Sequence, residues 1–384
     1  MLWKNRDRNL DSTKTKNRVL YNNEGDNSFI SVTTSGSTAT YMGLNEEGFA
    51  IANSLVIEDN EFEEELRCDE HKLIEYALEN FSLVTEFENF IMNVDSLSSL
   101  NCGAGDYIIS NFAVIDKTGA GKIFEIDTQR HYPDPSIESE SLEDFEYLFR
   151  SNHFILMDNR NDLTDLDIES CENLTSNYLD GLSEGLVSNK LRYCMSRQYL
   201  ESHFEGNSTM DLNELIGIDY LDDSDFISDI GLLRILNRSS IDSYQNINEY
   251  NLPYIFQSNY DCGVGRPSGY VYSRWSIARA QTVSSIVIKS LGDPQKSYML
   301  AALGNPHITP YVPFWVGEVP ELANNNNDSQ ITILADLLRK KVFDYGRPEI
   351  LDYNRWIDTQ HLFSEDGTFE NNIYRAISNF EQSI

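Results

Sequence analysis

The hydrophobic and polar positions of the first third of the chain group into short apolar, β-rich runs that alternate with polar turns. SFISVTT at 28–34, ATYMG at 39–43 and FAIANSLVI at 49–57 are short β-rich runs, and NEEG at 45–48 reads as the turn before the last. They predict a β-meander. The period then changes to that of a helix: Leu73, Ile74, Ala77 and Leu78 share one face, and a second helical run extends from Thr85 to Met92. YIISNFAVID (107–116) and KIFEID (122–127) flank the turn residues KTGAG as a hairpin, and FEYLFRSNHFILM (145–157) reads as a further strand. Stretches 158–184 and 204–230 are polar and acidic, around a helix with Leu191, Met195 and Tyr199 on one face. A second β block follows in QTVSSIVIKS (281–290) and SYMLAAL (297–303), running into GNPHITPYVPFW (304–315). Helices close the chain, one lined by Leu334, Leu338 and Val342 and the last by Ile373, Ala376, Ile377 and Phe380. Two groups of antiparallel strands with helices between and after them predict an α+β chain of two stacked antiparallel sheets covered by helices.

Composition narrows the partners. The 384 residues carry 62 acidic against 29 basic side chains, a net charge of −33. Every phosphate of a nucleic acid or anionic membrane would meet a repelling field, so neither is an expected partner. No apolar run approaches the roughly 18 residues of a membrane-spanning helix. The first residues, MLWKNRDRNLD, lack the order of a secretory signal and begin as if in mid-strand, so cytoplasmic residence is the default expectation. The five cysteines, at 68, 102, 171, 194 and 262, form no C-x-x-C pair and no even framework. Their ordinary role is that of small buried hydrophobes.

Several motif strings dissolve in their context. GLSEG at 181–185 matches G-x-S-x-G, but the residues before it are polar where a nucleophile elbow needs a buried strand, which leaves a Ser183 hydrolase a minor alternative. GVGRPSG at 263–269 has a Pro inside and no helix after it; GAGK at 119–122 sits at a hairpin turn. DDSD at 222–225 lacks the glycine and closing Glu of a calcium loop, and the six His show no ligand spacing. No metal or cofactor is expected.

Three segments carry a resemblance. Trp3-Lys4-Asn5-Arg6-Asp7, the run from Gly43 through Asn53, and Arg150-Ser151-Asn152-His153-Phe154 occur in an order and spacing that resemble the N-terminal-nucleophile cysteine hydrolases. The likeness is nearest to the acyl-coenzyme A:6-aminopenicillanic acid acyltransferase branch, peptidase family C45, with choloylglycine and penicillin V hydrolases as cousins. NFAVIDKTGAGKIFEID, the helix around Lys190 to Leu200, and the TVSS strand followed by GNP and PFW add to it, so that it spans residues 2 to about 320.

This resemblance implies a four-layer αββα fold, with residues 1–320 as its core and 321–384 as a helical extension packed on it. It also implies a hydrolase or acyltransferase acting on linear amide C–N bonds of a small substrate. In such enzymes an N-terminal Cys thiolate attacks the carbonyl while its own α-amine serves as base, and the two groups have proton affinities close enough to exchange at neutral pH. Asp7 resembles the carboxylate that orients the amine, with Arg6 or Lys4 adding positive charge, and Arg8-Asn9-Leu10-Asp11 offers a second register for the same role. Asn53 and Asn152 match the oxyanion asparagines, and an amide suits that task because it donates without titrating. Asn is also disfavoured in strands, so a polar site is a physical reason to find one there. The nucleophilic Cys is expected one strand and one turn upstream of Asp7, which implies a core truncated at its N-terminus. A ligand-binding relative without turnover is the alternative, and a homo-oligomer is allowed.

Overall fold

The computed structural model describes residues 1–7, 16–56, 70–93, 100, 108–128, 136–143, 148, 156–157, 270–272, 281–306, 309, 311–317, 319–324, 330–344 and 347–352. A seven-stranded antiparallel sheet runs in chain order through β2 (Asn17–Asn22), β3 (Phe29–Thr34), β4 (Met42–Asn45), β5 (Ala50–Leu55), β6 (Ile109–Ile115), β7 (Gly121–Asp127) and β8 (Ser136–Ser141). A four-stranded antiparallel sheet has the order β1-β10-β11-β12, made by Leu2–Asp7, Thr282–Lys289, Tyr298–Ala302 and Val312–Phe314. A small three-stranded sheet joins β13 (Phe343–Asp344), β14 (Arg347–Asp352) and β9 (Tyr270–Tyr272).

Strand alternation gives each large sheet two faces, and the cores follow it. Val19, Ile30, Val32, Met42, Leu44, Ala50 and Ala52 of the seven-stranded sheet pack with Leu2, Ile286, Ile288, Met299 and Ala301 of the four-stranded one in a single buried cluster. The two sheets are therefore stacked face to face, as the sequence pattern predicts. The same cluster takes in Ile331, Leu334, Leu338 and Val342 of α4 (Gln330–Val342), which follows the short α3 (Glu321–Asn324). Val287, Leu300 and Ala302, on the other face of the four-stranded sheet, are buried with Tyr298 and Tyr311.

The opposite face of the seven-stranded sheet is covered by α1 (Glu70–Asn80) and α2 (Val84–Ile91). The four residues whose spacing predicts the α1 stripe, Leu73, Ile74, Ala77 and Leu78, are all buried there. Phe87 of α2 seats against Phe124 of β7 at a centroid distance of 5.4 Å and Phe112 of β6 at 6.4 Å. Close approach of α1 demands a glycine: a Cβ on Gly43 would lie 2.7 Å from Leu78 Cδ1 and 2.6 Å from the Ile30 carbonyl. Asn45 is fully buried and ties the β4–β5 turn to this layer. Its amide donates to the Leu78 and Phe81 carbonyls at 2.9 and 2.7 Å, and its Oδ1 accepts from Phe49 N at 2.9 Å. Asp116 Oδ2 accepts from the first α2 amide, Val84 N, at 2.8 Å, so the β6–β7 turn caps that helix.

In the seven-stranded sheet, β2 and β8 correspond to no strand expected from the hydrophobic pattern, and neither do the three strands of the small sheet. β2, NRVLYN, begins with polar residues that serve the inter-sheet space, and β8, SIESES, is a half-exposed edge with acidic side chains. The strand expected over 145–157 is absent at Leu148, Leu156 and Met157, and its other residues lie outside the described set. The helices expected around Leu191 and Ile373 lie outside it as well, as do Ser183, the 222–225 and 263–269 motifs and all five cysteines.

Candidate active site

The inter-sheet core changes character toward the end where β1 finishes. On the inner face of the seven-stranded sheet, Ala52 and Ala113 sit opposite one another across β5 and β6 as part of the apolar cluster. The next inward row, Ser54, Asn111, Glu125 and Glu138, aligns residue for residue across β5 to β8. Asn111 and Glu125 in this row are buried, Glu125 completely. Beyond them Val56, Ile109 and Met157 form a small apolar plug. Burying Asn111 and Glu125 between apolar neighbours costs desolvation, which hydrogen bonds must offset. Glu125 Oε2 accepts from the backbone N–H groups of Leu156 and Met157 at 2.9 and 3.2 Å.

β1 crosses above β5 and β6, and its inward positions are Leu2, Lys4 and Arg6. Arg6 is buried. Its Nη1 donates to Asn17 Oδ1, its Nη2 donates to Thr34 Oγ1 at 2.9 Å, and the guanidinium stacks 3.7 Å from the centroid of the Tyr41 ring. The pairing of β1 with β10 shifts between Arg6, opposite Ser284, and Asp7, opposite Thr282, which leaves Val283 as the extra residue of a β-bulge. Asn17 Nδ2 donates to the Val283 carbonyl at 2.7 Å, and Thr282 Oγ1 donates to Asp7 Oδ1 at 2.6 Å. Arg6 is thus held on the inward face of β1 by Asn17 and Thr34, and Asp7, the next residue of the strand, is held by Thr282. Thr332 Oγ1 of α4 donates to the Asn17 carbonyl at 2.6 Å, so one asparagine joins both sheets and a helix.

The other expected site residues fall differently. Asn53 shares the helix-facing side of β5 with Ile51, and its amide reaches Ser110 Oγ at 3.4 Å. Asn53 and Arg6 therefore occupy opposite faces of the seven-stranded sheet, while the neighbouring Ser54 faces inward. Asn152 lies outside the described residues. Asn17 falls in no motif, and Asn111 and Glu125 fall within NFAVIDKTGAGKIFEID without being singled out as site residues. Their signal, a polar residue inside an otherwise alternating strand, is faint without the strand pairing. Among the described residues no three His, Cys, Asp or Glu side chains gather as metal ligands, and no helix is long and apolar enough to cross a membrane.

No protein-family model matches the chain, and no curated protein does. Solved structures do resemble it. A penicillin V acylase from Agrobacterium tumefaciens overlaps 82% of this chain and 80% of its own, at 12% identity and a TM-score of 0.36. An N-acylethanolamine-hydrolyzing acid amidase ortholog from Caenorhabditis elegans overlaps 47% of this chain and 80% of its own, at 12% identity and a TM-score of 0.30. A mutant of a conjugated bile acid hydrolase from Clostridium perfringens overlaps 35% of this chain and 46% of its own, at 13% identity and a TM-score of 0.22. These overlaps are too loose to carry a functional argument, and the fold class rests on the strand order and the shared core.

Proposed function

We propose that this chain is an N-terminal-nucleophile hydrolase or acyltransferase that cleaves linear amide bonds at the polar end of its inter-sheet space. The observation that carries this reading is Arg6, buried on the inward face of the strand that crosses the polar end of the core, followed directly in the chain by Asp7, which Thr282 holds. In this reading a thiolate placed ahead of β1 attacks the amide carbon, and the α-amine takes the thiol proton and passes it to the departing nitrogen. The C–N bond breaks, an acyl thioester remains, and water or an amine acceptor resolves it. Asp7, fixed by Thr282, orients the ammonium form, and Arg6 supplies positive charge next to it. Asn152 donates to the developing oxyanion, a part that Asn53, facing the helical layer, is not placed to share.

The test uses the protein expressed from its own gene with the upstream sequence included, its mature N-terminus read by mass spectrometry. The reading expects an N-terminal Cys and turnover of N-acyl amides such as penicillin V or a glycine-conjugated bile acid. Asn152→Ala lowers kcat by about 10²–10³, the cost of one oxyanion donor. Asp7→Asn keeps the fold and loses most of the rate. Amide binding without any turnover, on a mature chain that lacks the Cys, replaces the enzyme with a ligand-binding relative.

A further inference from the structure

Arg6 extends from β1 of the four-stranded sheet, and three residues of the seven-stranded sheet hold its guanidinium: Asn17 on β2, Thr34 on β3 and Tyr41 at the entrance to β4. None of the three is a carboxylate. Asn17 Oδ1 and Thr34 Oγ1 accept from Nη1 and Nη2, and the N–H bonds of a guanidinium lie in its plane. These two bonds stop the group turning within its plane and leave it free to tilt about the line that joins them. Tyr41 supplies the missing direction. Its ring centroid lies 3.7 Å from Arg6 Cζ, so the cation sits over the π face.

The ring is itself anchored. Tyr41 N donates to the Val32 carbonyl at 3.3 Å, and the next residue, Met42, is fully buried in the inter-sheet core. Tyr41 also packs against that core, which keeps the ring from following a tilting guanidinium. A ring face attracts a cation through its quadrupole and adds no negative charge, whereas a carboxylate would cancel the charge it holds. Arg6 is therefore gripped from its face while its positive charge is kept.

We propose that Tyr41 is a positioning residue: its ring fixes the direction in which Arg6 presents positive charge to the reacting centre. The catalytic use of the stack rests on the amidase reading above; the immobilisation of Arg6 by the ring does not.

Tyr41→Leu removes the π face and keeps an apolar side chain, while Tyr41→Phe keeps the face. Both are made in the protein expressed with its upstream sequence, with folding checked by thermal melting, and Tyr41→Met replaces Tyr41→Leu if that protein does not fold. On the N-acyl amide that the native protein turns over fastest, Tyr41→Leu lowers kcat about tenfold with KM within a factor of about two, the mark of lost alignment. Tyr41→Phe retains most of the rate. In an Arg6→Met background the Leu substitution costs no further rate, because the group it positions is gone. Nitrogen-15 relaxation of the Arg6 side chain, assigned by its loss in Arg6→Met, reads the stack without turnover: the Nε order parameter is equal in the native protein and Tyr41→Phe and falls in Tyr41→Leu. An unchanged kcat in Tyr41→Leu, an equal loss in Tyr41→Phe, or additive losses with Arg6→Met overturn the positioning role. An order parameter unchanged in Tyr41→Leu overturns the stack itself. A native protein inert on every amide, with the order parameter still lowered in Tyr41→Leu alone, removes the amidase reading and leaves Tyr41 as the residue that immobilises Arg6.

Discussion

Asn17→Ala tests how the two sheets are held at the site. The substitution removes the acceptor of Arg6 Nη1 and the donor to the Val283 carbonyl, while the Thr332 bond to the Asn17 main chain survives. Arg6 is 6% exposed, so water cannot replace the lost acceptor. A hydrogen bond to a buried charge is worth about 1.5–3 kcal/mol, and a carbonyl left unpaired adds about 1–3 kcal/mol. Thr34 and Tyr41 still hold the guanidinium, which favours the middle of the combined range, a loss of about 3–5 kcal/mol, comparable to breaking a buried ion pair. That is a large share of the roughly 5–15 kcal/mol that keeps an ordinary domain folded. Urea unfolding of Asn17→Ala, Arg6→Met and the double variant forms a cycle. Once Arg6 is Met, no charge remains to be stranded, so the Asn17→Ala cost falls by about 1.5–3 kcal/mol in that background. An Asn17→Ala cost below about 1 kcal/mol, or additive effects in the double variant, refutes the picture of Asn17 as the partner that makes the Arg6 charge tolerable.

Three further outcomes follow from the packing and charge. Phe87→Ala lowers unfolding free energy by about 3–5 kcal/mol, because the ring fills the space between α2 and the Phe112 and Phe124 rings, and urea denaturation measures the loss. Gly43→Ala forces α1 off β4, seen as a lower melting temperature together with faster amide exchange in residues 70–80, whereas unchanged exchange contradicts the contact. The Glu75 pKa is raised from 4.5 by burial and then by Glu79 and Glu24, so its contribution is favourable below about pH 4.5 and lost as pH rises through the raised folded value. Glu75→Gln accordingly stabilises the protein at pH 7, and the gain vanishes below that window in melts across pH.

Hydrophobic periodicity by itself determined most of the seven-stranded sheet and the helical layer. The runs 28–34, 49–57, 107–116 and 122–127 became β3, β5, β6 and β7, and Leu73, Ile74, Ala77 and Leu78 became the buried stripe of α1. These strands are buried on both faces and read as compact apolar runs bounded by turns, while α1 buries one face and shows it as a stripe. β2 and β8 escaped the pattern because their polar residues answer to distant partners: Asn17 serves Arg6 and Val283, and the acidic β8 guards an edge. The site depends still more on assembly. β1 pairs with β10 across nearly three hundred residues of chain, and only that pairing gives Asp7 its Thr282 partner and brings Val283 to the asparagine that holds Arg6. Asn53 and Ser54 are equal candidates along the chain, and strand register alone turns Ser54 toward Asn111 and Glu125 and Asn53 toward the helices. Local polarity records whether a residue prefers water, whereas its neighbours in the folded state are set by long-range pairing, which no short window of sequence contains.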